Sequence, residues 1–153
     1  MAVRHHLIHA APREVWAVLA DGSRYDAWVV GTSDARVARG LWPELGSAIE
    51  YTVRIGPWTA SGSTVVRRVN PPDELELEVD SGPVGTARVA IEIRPWGEES
   101  LVILDEHPLR GIVGALHNAA LDALIQLRHR DMLGRLAKVV EESVGAREKE
   151  PAR

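Results

Sequence analysis

Residues 74–80 read Glu-Leu-Glu-Leu-Glu-Val-Asp, and residues 87–94 read Ala-Arg-Val-Ala-Ile-Glu-Ile-Arg. Apolar side chains recur at every second position in both stretches. This period indicates β-strands with one face towards a core and the other towards water, as is typical of antiparallel sheets. Ser81-Gly82-Pro83 between them is a turn signal, so the two stretches predict neighbouring antiparallel strands.

Strand-like stretches of this kind continue on both sides and are separated by proline, glycine and asparagine. Residues 49–55, for example, alternate Ile, Tyr, Val and Ile with Glu, Thr and Arg. In total the sequence predicts seven strands, at about residues 3–10, 32–38, 49–55, 59–69, 74–80, 87–94 and 101–107.

Helical periodicity occurs in two regions. Pro12 suits the first position of a helix over residues 12–20, because its missing N–H is not needed there. Ser23 is predicted to cap a second short helix that carries Tyr25 and Trp28. After Pro108, residues 112–143 contain no proline and carry an apolar stripe at helical spacing, which predicts one long C-terminal helix.

The element order predicts an α+β domain: a curved seven-stranded antiparallel sheet wrapped around the C-terminal helix, with two short helices between strands one and two. The 153 residues suffice for one core. We expect a single domain over residues 1–144 and a flexible tail over 145–153, which has no large apolar residue to bury. A sheet curled around one helix leaves space between them, and such spaces are usually apolar pockets.

Composition excludes several classes of function. The net charge of −4 argues against a nucleic-acid partner, since phosphate binding requires a cationic face. The absence of cysteine rules out disulfides and thiolate chemistry. No apolar run reaches the ~18 residues of a membrane span, and residues 1–9 lack the apolar segment of a signal peptide. We therefore expect a cytoplasmic protein.

Four short motifs follow one another along the chain: Ala11-Pro12-Arg13-Glu14-Val15-Trp16, then Asp21 through Tyr25 to Trp28, then Trp42-Pro43-Glu44-Leu45-Gly46-Ser47, and Val69-Asn70-Pro71-Pro72-Asp73-Glu74-Leu75. In this order they resemble the START and polyketide cyclase-like superfamily (SRPBCC), over about residues 3–143. The resemblance implies the helix-grip fold. It leaves the function open, because such proteins include lipid carriers, plant-hormone receptors and aromatic polyketide cyclases.

Candidate ligand-binding residues are those expected on the inner face of the sheet and on the alanine-rich half of the long helix. They are His9, Trp28, Tyr51, Val53, Arg67, Val89, Ile91, Ala119, Ala120 and Ala123. His9 and Arg67 are the polar members, at strand positions that the family pattern turns inward. Alternatively, His9 is a half-exposed strand residue, and Arg67 either extends its side chain to the rim of the pocket or points outward because the register is shifted by one residue.

Catalytic and metal-binding patterns are weak. Asp105-Glu106-His107 combines carboxylates with an imidazole, which suits general acid–base chemistry. Adjacent strand residues point in opposite directions, so Glu106 and His107 cannot both face a pocket without a bulge, and a solvated strand end is the other interpretation. His5 and His9 lie about 13 Å apart along a strand, too far to share a metal ion. We assign no catalytic residue and expect neither metal nor cofactor.

Three functions remain open. The first is binding or transport of an apolar small molecule such as a lipid or a polyketide. The second is a cyclase or dehydratase that folds a polyketone for an intramolecular aldol reaction, with Arg67 or His9 as oxyanion partner or base. The third is an interaction protein that uses the fold without a ligand. The sequence is compatible with a monomer or a homodimer.

Overall fold

A computed structural model describes residues 2–29, 32–55, 57–80, 85–110 and 119–148. The strands are β1 Ala2–Ile8, β2 Thr32–Arg39, β3 Ala48–Ile55, β4 Trp58–Asn70, β5 Glu74–Asp80, β6 Thr86–Trp96 and β7 Glu99–Arg110. The helices are α1 Pro12–Leu19, a 3-10 turn Gly22–Arg24, α2 Tyr25–Trp28 and α3 Ala119–Glu148. All strand pairs are antiparallel, in the order β1-β7-β6-β5-β4-β3-β2.

The curved sheet and the C-terminal helix bury a shared core, which confirms the predicted helix-grip architecture. Leu75 of β5, Ile91 of β6 and Leu104 of β7 are direct register partners and are all buried on the inner face. Helix α3 presents an apolar stripe that includes Leu136 and Val140, and it packs against β1, α1 and α2. The period-two strands and the period-3.6 helix therefore turn their apolar faces towards each other.

Two local details differ from the sequence-based predictions. The cap of the 3-10 turn is Asp21, whose side chain accepts the Ser23 N–H at 3.1 Å, so Ser23 lies inside the turn and is not the cap. Helix α3 ends at Glu148, beyond the predicted end at residue 143. Val144 packs against the core and stabilises the additional turn. The predicted start at residue 112 lies outside the described residues.

Gly62 of β4 has no side chain, which lets the Tyr51 and Val53 side chains lie against the β4 backbone. It pairs with Tyr51 of β3, and a Cβ atom added to Gly62 would lie 2.5 Å from Tyr51 Cε2 and 2.6 Å from Val53 Cγ2. Tyr51 is buried and hydrogen-bonded, so its ring cannot move freely. A side chain at position 62 therefore overpacks this part of the core.

We predict that Gly62→Ala lowers the free energy of unfolding by about 1–3 kcal/mol, because the added methyl group displaces the Tyr51 ring. Gly134→Ala is the matched control, since an added Cβ meets nothing within 4 Å there. Alanine should stabilise this helical position by about 1 kcal/mol. Chemical denaturation measures both effects. If Gly62→Ala is as stable as the wild type, the side chains of Tyr51 and Val53 are loosely packed around this position, contrary to the prediction.

Candidate ligand-binding cavity

A small cavity lies between the inner face of the sheet, α2 and α3. Its lining consists of Tyr25, Trp28, Val29, Leu77, Val79, Val89, Glu106 and Met132. The polar groups among these side chains are the Glu106 carboxyl, the Tyr25 hydroxyl and the indole N–H of Trp28. Its volume is about 20 Å³, which suffices for roughly one water molecule. The arrangement suits an apolar molecule with one polar group, provided that the wall can widen.

The strand register explains why a carboxylate reaches this wall. Leu77 of β5 pairs with Val89 of β6, and Val89 pairs with Glu106 of β7. Directly opposite residues in antiparallel strands share one face of the sheet. Glu106 therefore continues an inward row that is otherwise apolar, whereas its neighbour His107 points outward and lies 3.2 Å from the Asp105 carboxylate.

Among the described residues, Glu106 is the one charged residue that is buried, with 7% of its surface exposed. Removing an ionised carboxylate from water costs several kcal/mol unless other groups compensate. A valine at this position would complete the apolar row without that cost. Glu106 thus marks a position where the cavity wall departs from what packing alone favours.

A second buried polar group borders the cavity at α2. The Tyr25 hydroxyl lies 2.6 Å from Thr64 Oγ1, and the Tyr51 hydroxyl lies 2.8 Å from the same atom. Tyr51 also donates to the Ser63 carbonyl oxygen at 3.1 Å. With the Tyr51 proton used there, Thr64 donates to Tyr51 and Tyr25 donates to Thr64. The two rings stack at a centroid distance of 5.1 Å, so this side of the cavity is rigid.

The predicted apolar site residues occupy different positions relative to this cavity. Trp28 and Val89 line it. Tyr51 and Ile91 are buried in the adjoining core, and Val53 is partly buried against that core. Ala119, Ala120 and Ala123 belong to α3, but their side chains lie outside the part of the chain that the structure describes.

The inward orientation predicted for Arg67 is wrong. The pairing of β4 with β5 shifts between Val66 and Arg68, and Val66 is fully buried. An extra residue in one strand reverses the alternation beyond it. Val69 therefore packs against the core, as expected, while Arg67 lies on the outer face and pairs with Glu78 at 2.8 Å.

The inward orientation predicted for His9 is also wrong. Ile8 is the fully buried residue at the end of β1 and pairs with the buried Ser100, so the odd positions of β1 face outward. The His9 side chain is 64% exposed, with Nδ1 2.8 Å from Glu99 Oε1. Its backbone N–H donates to Glu141 of α3 at 3.2 Å. His9 therefore joins the sheet edge to the helix and does not line the cavity.

Sequence reasoning left several lining residues out of the candidate set, above all Glu106, which it considered within Asp105-Glu106-His107 without placing it on the cavity wall. The run Leu101-Val102-Ile103-Leu104 is apolar at every position, so alternation within β7 does not reveal which residues face inward. Pairing Val89 with Glu106 across the β6–β7 hairpin would have revealed it. That pairing depends on the length of the hairpin turn, which the sequence-based strand ends left open.

Within residues 2–29, 32–55, 57–80, 85–110 and 119–148, histidine, aspartate and glutamate side chains form no cluster of three or more that could hold a metal ion. Over the same ranges, no helix combines the length and the apolar character needed to cross a membrane.

The His9–Glu99 contact predicts a pH-dependent contribution to stability. The hydrogen bond that the His9 ring donates to the Glu99 carboxylate, and then the charge of Glu99, raise the pKa of His9 above its ordinary value of 6.5. A raised pKa in the folded state means that protonated His9 stabilises the fold. This contribution is complete below pH 6.5 and is lost as the pH rises through the folded-state pKa.

We therefore expect His9→Gln to lower the melting temperature more at pH 5.5 than at pH 8.5 (about 1.5 pH units on either side of neutrality). NMR titration of the His9 ring should give a pKa above 6.5, and Glu99→Gln should lower it. A ring that titrates at the same pH in the wild type and in Glu99→Gln would contradict the assignment.

Solved structures support the fold assignment. Protein TTHA0849 from Thermus thermophilus has a TM-score of 0.72 at 14% identity, covering 93% of this chain and 97% of that chain. A conserved protein from Geobacillus kaustophilus has a TM-score of 0.71 at 18% identity, covering 92% and 95%. DynU16, from the dynemicin biosynthetic locus, has a TM-score of 0.68 at 18% identity, covering 92% of this chain and 46% of DynU16. Identities this low show the fold alone.

Sequence comparison defines the family. No curated protein sequence is significantly similar to the chain. The family model described as "Polyketide cyclase / dehydrase and lipid transport" matches residues 2–141, nearly the whole chain. This match agrees with the order of the four motifs and with the architecture of the sheet and helices. The chain therefore belongs to the polyketide cyclase/dehydrase and lipid transport family.

Proposed function

We propose that the protein binds an apolar small molecule, such as a lipid or a polyketide, in the cavity between the sheet, α2 and α3. The observation that carries this proposal is the lining, in which aromatic and aliphatic side chains surround a single carboxylate. Binding sites for small molecules are usually apolar with a few placed polar groups. The family description, which includes lipid transport, supports the same function.

The cavity must widen when a ligand enters, since a volume of about 20 Å³ is far smaller than a lipid or polyketide. Met132 of α3 is the most adaptable residue of the wall, because an unbranched thioether changes rotamer at low cost. The rings of Tyr25 and Trp28 contact each other at a centroid distance of 5.8 Å and resist rearrangement. We therefore propose that the ligand displaces the Met132 side chain towards α3 and stacks along the α2 side.

A cyclase-type enzyme is the second candidate, and the burial of Glu106 favours it. A carboxylate in a water-poor wall is a suitable general base for removing a proton next to a ketone. The family description also includes cyclases and dehydrases. Incubation with a poly-β-ketone thioester separates the two functions: an enzyme releases a cyclised product, and Glu106→Gln abolishes that product, whereas a carrier returns the thioester unchanged.

The binding proposal predicts that N-phenyl-1-naphthylamine, a neutral apolar dye, binds one per chain with a dissociation constant on the order of micromolar. Binding should quench tryptophan emission through Trp28, which lines the cavity. Val79→Phe should weaken binding by about tenfold, because Val79 is a partly exposed lining residue where a larger side chain fills the space.

Val3→Phe is the matched control. It adds the same bulk on the outer face of β1, where Val3 is 48% exposed, and should leave dye binding unchanged. Thermal melting of both variants checks that each still folds. Absence of dye binding to the wild type, or equal affinities of the two variants, would refute the proposed cavity.

A further inference from the structure

The indole N–H of Trp28 indicates which polar group a ligand of the cavity carries. We infer that the ligand presents an uncharged carbonyl oxygen, such as that of a ketone or an ester, to Trp28 Nε1. This inference rests on the proposed binding function and deepens it, because it adds a hydrogen-bond acceptor to a ligand otherwise described only as apolar.

Trp28 is a buried tryptophan whose N–H is not used by the described part of the protein. The residue is 4% exposed and lines the cavity from α2. Within the ranges that the structure describes, its ring contacts that of Tyr25, and its N–H donates no hydrogen bond. Trp42 shows the ordinary arrangement, since its Nε1 donates to the Leu19 carbonyl oxygen at 3.0 Å. Buried tryptophan N–H groups usually find such an acceptor.

The unused N–H borders open space. Across residues 2–29, 32–55, 57–80, 85–110 and 119–148, the fully enclosed side-chain nitrogen and oxygen atoms without a partner are Arg4 Nε, Arg88 Nε and Asp105 Oδ1. Trp28 Nε1 is not one of them, so it keeps some accessible surface. The Trp28 side chain lines the cavity between the sheet, α2 and α3, and its donor is therefore available to a molecule inside.

An unused donor in a cavity wall favours a ligand with an acceptor. The volume of about 20 Å³ has room for roughly one water molecule, which can accept from the indole. A ligand that takes the place of such a water restores the hydrogen bond only if it brings an acceptor of its own. A hydrocarbon leaves the N–H buried and unsatisfied, which costs free energy.

An uncharged carbonyl suits this wall better than other acceptors. Val29, Val89 and Met132 surround the space with aliphatic surface, where a ligand carboxylate would lose its hydration. A hydroxyl group also accepts, but its own proton then needs a second acceptor. A ketone or ester oxygen accepts without donating. Because the N–H lies in the plane of the indole, we place this oxygen at the edge of the Trp28 ring and not over its face.

The test compares three probes that share a naphthalene ring and have similar shapes. 2-Acetylnaphthalene carries a ketone, methyl 2-naphthoate carries an ester, and 2-isopropenylnaphthalene carries C=CH₂ in place of the ketone C=O. Titration calorimetry gives the affinity of each probe for the full chain. In Trp28→Phe we expect the affinity of the ketone relative to the alkene to fall about tenfold. The smaller ring affects both probes alike, so the ratio reports the lost N–H.

NMR provides a second readout in the wild type. The five tryptophans give five indole N–H signals, and the Trp28 signal is the one absent from Trp28→Phe. Its proton should move further downfield with the ketone than with the alkene, because a hydrogen bond deshields the donated proton. If Trp28→Phe does not fold, an indole signal with this response in the wild type supports the inference, and the lack of one overturns it.

The ester probe separates two sources of a carbonyl ligand. A response of either carbonyl probe to Trp28→Phe supports the inference. A larger response of the ketone indicates a polyketide-like ligand, and a larger response of the ester indicates an acyl lipid.

Trp96→Phe is the matched control, because Trp96 is 62% exposed at the end of β6 and does not line the cavity. It should leave every affinity ratio unchanged. If all three probes bind with the same relative affinities in the wild type and in Trp28→Phe, the inference is overturned while cavity binding stands. If no probe binds the wild type, the proposed function itself fails.

Discussion

The inner face of the sheet is apolar across adjacent strands, and the need to cover it determines the rest of the structure. Leu75, Ile91 and Leu104 form one row across β5, β6 and β7, and each is almost fully buried. Burying apolar surface stabilises by about 25 cal/mol per Å², so an uncovered face of this size would leave the fold unstable. Helix α3 contributes Leu133, Leu136 and Val140 to the core that contains this row, and α1 packs against β6 and β7.

The outer face carries the charges that this arrangement keeps out of the core. Arg67 pairs with Glu78 at 2.8 Å, and Arg88 lies between Glu76 at 3.1 Å and Glu78 at 3.8 Å. These side chains are between about a quarter and a half exposed, so each pair contributes little to stability. Their main effect is on register, because a slip of one residue in β5 would carry its glutamates into the core.

Two polar features border the cavity, and they differ in kind. Tyr25, Thr64 and Tyr51 satisfy one another through a chain of hydroxyl groups, which fixes α2 against β3 and β4. Glu106 instead stands at the end of an apolar row on the cavity wall. The first kind makes the cavity rigid on one side. The second places a single carboxyl group in an otherwise aromatic and aliphatic wall.

The sequence by itself determined the seven strands, the short helices, the long C-terminal helix and the family, because alternation, helical periodicity and turn residues are local properties. Only the tertiary structure decided which side chains face the cavity. In β4 the inward Val66 left Arg67 outward, and a bulge beyond it turned Val69 inward. The pairing of Ile8 with Ser100 turned His9 outward, and the pairing of Val89 with Glu106 turned that carboxylate inward. The physical reason is that shifting the strand register by one residue moves every side chain to the opposite face of the sheet. That register is set by pairing with neighbouring strands, which are distant in sequence.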